Sequence, residues 1–143
     1  MEVKGQKPEL IAGVSNYDTF AQINLSFFDA VYLGQPYCLK VKGNFIVALE
    51  SLALAVKELQ QHNKKAYLVT PALVFAKDLA RVQKAIAKAV SLGIDAVEVQ
   101  DLGLFHWLRR TYPQVKVHLG QMANVYNQPT AKRFQELGAV RLM

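Results

Sequence analysis

Apolar residues in this chain fall into short runs, Ala30 to Leu33, Ala66 to Thr70, Asp95 to Val99 and Lys116 to Leu119, separated by longer stretches where they recur at helical spacing. Short strands alternating with helices of 10 to 15 residues are the pattern of parallel βα units. The pattern predicts a first strand over Glu9 to Ala12, a loop from Gly13 to Asn16, and a helix opened by Asp18. A second strand over Ala30 to Leu33 leads into a long connection from Gly34 to Gly43 that holds Pro36 and Cys38. Function often sits on irregular segments of that kind.

The helix from Phe45 to His62 carries Leu49, Leu52, Val56 and Leu59 on one face, and Asn63 closes it. Strand three, Ala66 to Thr70, stops at Pro71. Helix three, Lys77 to Leu92, stops at Gly93, strand four is Asp95 to Val99, and Asp101 caps a helix to Thr111. Strand five is Lys116 to Leu119, a helix capped by Asn127 runs from Gln128 to Leu137, and strand six begins at Ala139. The sextet Asp29-Ala-Val-Tyr-Leu-Gly34 returns as Asp95-Ala-Val-Glu-Val-Gln100, which marks the chain as a repeat of βα units.

An eight-unit barrel takes roughly 250 residues, so this chain holds about five and a half units of an incomplete TIM-type α/β barrel. The expectation is a single half-barrel domain over residues 1–143, completed by further chain or by a partner, since an open parallel sheet exposes edges. Barrels of this type place their chemistry at the carboxyl ends of the strands. Alternation along the strands sets Glu98 and Gln100 on the face opposite Val97 and Val99, and His118 opposite Val117 and Leu119. With Tyr32 from strand two, these residues share the interior. A carboxylate beside an imidazole favours imidazolium and suits acid-base work, so Glu98 and His118 are the candidate catalytic pair. The same pair equally satisfies itself as a buried structural contact.

Composition narrows the classes. With 52% hydrophobic residues and a net charge of +6, the chain can bury a core, and no apolar run approaches the ~18 residues of a membrane span. The polar start from Met1 to Pro8 has no apolar export region, so a cytoplasmic protein is expected. Cys38, the single cysteine, excludes an internal disulfide, and by itself reads equally as a packed thiol. No His-x-x-x-His, Cys-x-x-Cys, Gly-x-Gly-x-x-Gly or Gly-x-x-x-x-Gly-Lys motif occurs, so zinc, dinucleotides and nucleoside triphosphates are not indicated. Lys77, Arg81, Lys84 and Lys88 line one helix face. They read mainly as a solvated surface, with RNA contact as the minor alternative.

Several motifs coincide with those of one family. Asp29 to Gly34, Gly43-Asn-Phe45, Lys65-Ala-Tyr-Leu-Val-Thr70 and Asp101-Leu-Gly103 resemble the second-strand signature, the Asn-Phe loop, the third strand and the Asp-x-Gly turn of the collagenase-like peptidase family U32. Further matches, Tyr32 to Cys38, Thr70 to Val74, Glu98 with Asp101, and Asn124 with Tyr126 and Asn127, are similar to the branch of that family active in oxygen-independent ubiquinone synthesis. The resemblance implies that Cys38 is one of four thiolate ligands of a 4Fe-4S cluster. It also implies a pocket that includes Asn124 and Asn127 beside Tyr32 and Gln100, and a partner iron-sulfur protein of the same family or self-association. Gly120-Gln121-Met122 stands where the family has Ser-Thr-Gln, and the chain supplies no second cysteine. The alternatives are a peptidase using Glu98 and His118, and a non-enzymatic half-barrel that dimerises or contacts RNA.

Overall fold

The computed structural model describes residues 7–34 and 45–143. The predicted Gly34–Gly43 connection, Cys38 and the Gly43-Asn44 pair therefore lie, apart from Gly34, outside the described residues. Six strands, β1 (Ile11–Val14), β2 (Ala30–Leu33), β3 (Lys65–Val69), β4 (Ala96–Val99), β5 (Lys116–Leu119) and β6 (Ala139–Leu142), form one sheet in sequential order. All five pairings are parallel. Every strand thus lies beside its sequence neighbour, without the reversal that defines a doubly wound sheet. This is the progression of a barrel, left open between β1 and β6.

Helices α1 (Tyr17–Phe20), α2 (Leu49–Gln61), α3 (Ala76–Ser91), α4 (Leu102–Thr111) and α5 (Gln128–Glu136) connect the strands. The main core lies between helices and sheet: Leu52, Val56 and Leu59 of α2 and Val82, Ile86 and Ala89 of α3 are fully buried with Val31, Leu33, Leu68, Val97 and Val117. A second, smaller cluster of Ala30, Tyr32, Tyr67, Val69 and Ala96 lies on the other sheet face. The alternation of strand side chains separates the two clusters, as in a barrel with helices outside.

β2 and β5 occupy the predicted residues, whereas β1 lies two residues later than expected. The predicted cap also moves. Asn16, not Asp18, opens α1, because its Oδ1 accepts from the Thr19 N–H at 2.9 Å while the Thr19 hydroxyl accepts from the Asn16 N–H at 3.2 Å. This reciprocal capping box outcompetes a lone aspartate. α2 begins at Leu49 rather than Phe45, since Phe45 and Ile46 instead bury themselves in the preceding turn. Asn63 ends that helix segment with φ 54°, as expected.

The repeated Asp-Ala-Val has a structural cause at the amino ends of the strands. Asp29 Oδ2 accepts from the Leu10 N–H at 2.8 Å, and Asp95 Oδ2 accepts from the Ala66 N–H at 2.8 Å. Each aspartate also donates its own N–H back, Asp29 to Leu10 O and Asp95 to Ala66 O. The two copies are register clamps between β1 and β2 and between β3 and β4. Replacing Asp95 with Ala leaves the Ala66 N–H without its carboxylate. A loss of about 1 kcal/mol in a urea titration is expected, with faster amide exchange at Ala66. An unchanged exchange rate there would rule out the clamp.

Candidate functional site

The concave face of the sheet is where the polar interior residues meet. Glu98 of β4 and His118 of β5 are direct register partners, and both are buried. Their hydrogen bonds run in different directions. The Gln100 amide donates to Glu98 Oε1 at 2.8 Å, while Gln100 Oε1 accepts from the Met122 N–H at 2.8 Å, tying the end of β4 to the 3-10 turn Gln121–Ala123 after β5. His118 Nδ1 lies 2.7 Å from the hydroxyl of Tyr32 on β2, with β3 and β4 between them contributing Tyr67 and Ala96. The small inward side chains Ala30 and Ala96 leave room for the rings of Tyr32, Tyr67 and His118 to converge at centroid distances of 4.8 to 5.9 Å.

Burial governs the charge states. It pushes the Glu98 carboxyl up to about 7, against the Gln100 hydrogen bond that favours ionisation. It pushes the His118 imidazole down to about 4, and the positive Arg141 nearby adds to that effect. The expected imidazolium therefore does not form at neutral pH: burial and the positive Arg141 outweigh the attraction of the Glu9 carboxylate. Burial likewise raises Tyr32 above the ordinary phenol range, so it stays protonated. Glu98 can exchange a proton near neutrality, as acid-base work requires.

At the carboxyl ends, the Thr70 hydroxyl donates to the Glu98 carbonyl at 2.9 Å and is fully buried. Gly34 closes β2 at φ 123°, with Val69 so close that a Cβ would meet its backbone oxygen at 3.0 Å. Asn124 is exposed and left-handed at φ 59°, and its Oδ1 accepts from the Tyr126 hydroxyl at 3.0 Å. Asn127, also exposed, caps α5 through the Thr130 N–H. Glu98, Gln100, His118 and Tyr32 come together, while Asn124 and Asn127 lie on the segment that follows the 3-10 turn. Lys77, Arg81, Lys84 and Lys88 are exposed on α3, opposite the face that Val82, Ala85, Ile86 and Ala89 bury against the core.

Three members of the interior escaped the sequence reading: Glu9, Tyr67 and Arg141. Glu9 accepts from Lys65 Nζ and from the Tyr67 hydroxyl, each at 2.8 Å, and pairs with Arg141 of β6. Burial opposes its ionisation, yet these three partners outweigh it and hold the carboxyl down at about 2. Arg141 also lies over the Tyr67 ring, 5.4 Å from its centroid. Tyr67 was legible as the register partner of Tyr32, because both belong to the inward parity of adjacent strands. The Glu9–Arg141 pair spans 132 positions and left no local signal.

A four-iron cluster takes four thiolates, and this chain has one cysteine. Among the described residues no group of three or more His, Cys, Asp or Glu side chains could hold a metal ion. The residues present do not by themselves fit the cluster. Among the described residues no helix is long and apolar enough to cross a membrane.

Sequential parallel strands, outer helices and a polar concave face define an open, barrel-type α/β domain. The model of Peptidase family U32 matches residues 15–143, and the chain belongs to that family. It is similar to the tRNA hydroxylation protein P of Escherichia coli K12, at 31% identity over 138 residues, covering 96% of this chain and 30% of that protein. It is 34% identical over 109 residues to an uncharacterized protease of Methanocaldococcus jannaschii, covering 76% of this chain and 26% of that protein. The 23S rRNA 5-hydroxycytidine C2501 synthase of Escherichia coli K12 is 22% identical over 143 residues, covering 100% of this chain and 21% of the synthase. The chain thus spans a third or less of the length of these relatives.

Among solved structures, the U32 peptidase Mk0906 superposes with a TM-score of 0.70 at 14% identity, over 99% of this chain and 60% of the other. Orotidine 5'-monophosphate decarboxylase of Sulfolobus solfataricus gives 0.63 at 16% identity, over 94% of this chain and 63% of the other. At such identities the likeness is one of fold.

The buried pair makes a distinctive pH prediction. Glu98 stays protonated in the fold to about pH 7, whereas the unfolded side chain ionises at 4.5, so Glu98 alone makes stability fall as pH rises from 4.5 through 7. His118 stays neutral down to about pH 4, whereas its unfolded value is 6.5, so His118 alone makes stability fall as pH drops from 6.5 toward 4. Between pH 4.5 and 6.5 the folded and unfolded states hold equal protons at this pair, and the two slopes cancel. Relative to wild type, Glu98→Gln is expected to gain stability by roughly 2 kcal/mol as pH rises across that window, and His118→Gln to lose a similar amount. Urea titrations at both ends of the window read the difference; slopes of the same sign in the two variants would refute it.

Gly120 makes a steric one. A Cβ there would clash with the Gln100 amide, so Gly120→Ala displaces a side chain held by one buried and one part-buried hydrogen bond. A cost of roughly 1–3 kcal/mol is expected from thermal unfolding.

Proposed function

We propose that this chain forms the barrel half of a U32-family component of oxygen-independent hydroxylation, working in the cytoplasm on a pyrimidine base of RNA. The observation that carries this reading is the similarity to tRNA hydroxylation protein P over 96% of the chain. The similarity to an rRNA hydroxycytidine synthase over the whole chain agrees with it. The concave face supplies a protonated carboxyl that titrates near neutrality at Glu98, oriented by Gln100. Such a group can hold or release a proton beside an aromatic ring.

A second reading is a component of ubiquinone-precursor hydroxylation similar to UbiV, partnered by a UbiU-like protein. It is favoured by the Tyr32-Leu-Gly-Gln-Pro-Tyr-Cys38 stretch and by the Asn124-x-Tyr126-Asn127 run. In either case Cys38 would contribute one thiolate to a 4Fe-4S cluster, with the other ligands supplied from outside residues 1–143. The cluster would supply redox chemistry when bound. A peptidase role has less support, because Glu98 and His118 are buried and each is engaged elsewhere.

The test is complementation of bacteria lacking tRNA hydroxylation protein P or the ubiquinone components, with the complete protein that contains this chain. RNA nucleosides and quinones are then quantified by mass spectrometry after anaerobic growth. Nucleosides heavier by one oxygen, reduced at least about tenfold by Glu98→Gln, are the expected result. Restored ubiquinone with unmodified RNA would favour the second reading, and neither product would sink both.

A further inference from the structure

Toward the amino ends of β3, β4 and β5, opposite the rim that holds Gln100, the concave face opens into a cavity of about 260 Å³. Its lining includes Lys65, Tyr67, Asp95, Lys116, His118 and Arg141. The acidic member is already engaged, since Asp95 Oδ2 accepts from the Ala66 N–H. What remains is a set of donors. Lys116 is exposed and outside the ion pairs formed among the described residues. Arg141 gives Nη2 to Glu9 and its guanidinium also faces the Tyr32 and Tyr67 hydroxyls, while its Nη1 is buried and makes no close hydrogen bond among the described residues. The neutral His118 imidazole shares one proton between Nδ1, which faces the Tyr32 hydroxyl at 2.7 Å, and Nε2.

Buried polar groups find partners, and an unmatched guanidinium nitrogen is costly. A free guanidinium nitrogen beside the ammonium of Lys116 suits an oxyanion better than any neutral ligand, because charge-assisted bonds repay desolvation on both sides. We propose that this cavity binds a phosphate-type oxyanion, held by Arg141 Nη1 and Lys116 beside the His118 ring, at the end of the strands away from the Gln100 rim. The assignment rests on this geometry and stands whether or not the hydroxylation reading holds. The anion can arrive as free phosphate or as the phosphate of a nucleotide.

The protein is titrated with inorganic phosphate, and separately with uridine 5′-monophosphate, at constant ionic strength kept with sodium chloride. Binding is read from the His118 ring resonances and from the melting temperature. Saturable shifts with phosphate are expected, with chloride alone giving none. Lys116→Ala, a surface change, should weaken binding about threefold or more without altering the melting temperature in chloride. Arg141→Gln should abolish binding. Saturation by phosphate but not by the nucleotide identifies the free ion, and saturation by both identifies a phosphoryl site; either supports the assignment. Shifts that do not saturate, or that are the same in Lys116→Ala as in wild type, overturn it.

Discussion

The curl of the sheet is the constraint on which the rest depends. Six flat strands at about 4.8 Å spacing would set β1 and β6 roughly 24 Å apart, beyond the combined reach of a glutamate and an arginine side chain. Yet Glu9, just ahead of β1, pairs with Arg141 of β6. The sheet must therefore bend around the concave face, and the ion pair ties its two edge strands across the interior. Both partners are mostly shielded, with side chains 17% and 30% exposed, so solvent screens the pair less than it would a surface bridge.

That curl brings residues from non-adjacent strands into contact. Tyr32 reaches His118 over an alanine floor, and the aromatic cluster so formed separates two polar zones. Glu98 and Gln100 belong to the zone at the carboxyl ends of the strands, Glu9, Lys65 and Arg141 to the zone at the opposite ends. The upper zone is kept neutral by burial and the lower zone is kept ionised by mutual pairing. One sheet face thus carries two electrostatic regimes, because desolvation dominates where a group lacks a counter-charge and is overcome where three donors converge on one carboxylate. A proton-exchanging group near neutral pH belongs to the first regime, and anion recognition to the second.

The repeat in the sequence was informative in a way its position did not announce. Asp-Ala-Val marks βα units, as its recurrence implies, but the aspartates act at the amino ends as clamps for the neighbouring strand rather than at the rim. Membership of family U32 fits a barrel-type fold whose chemistry varies with its loops. A relative with an RNA-hydroxylating name and a relative named as a protease both match this portion of the chain.

Local order was written into the chain. Strands β2 and β5, the Asp101 and Asn127 caps, the Asn63 and Gly93 terminations and the inward parity of Glu98, Gln100, His118 and Tyr32 follow from alternation and capping, which act over a few residues. The Asn16 cap is written in the sequence too, as the Asn16-x-x-Thr19 box. The tertiary structure alone decided which inward groups bond to one another. It placed Tyr32 rather than Glu98 on His118, and it made neutral what proximity in register suggested would be charged. It also joined Glu9 to Arg141. Those outcomes depend on curvature and burial, quantities that exist only once all six strands are assembled, and no short window of residues encodes them.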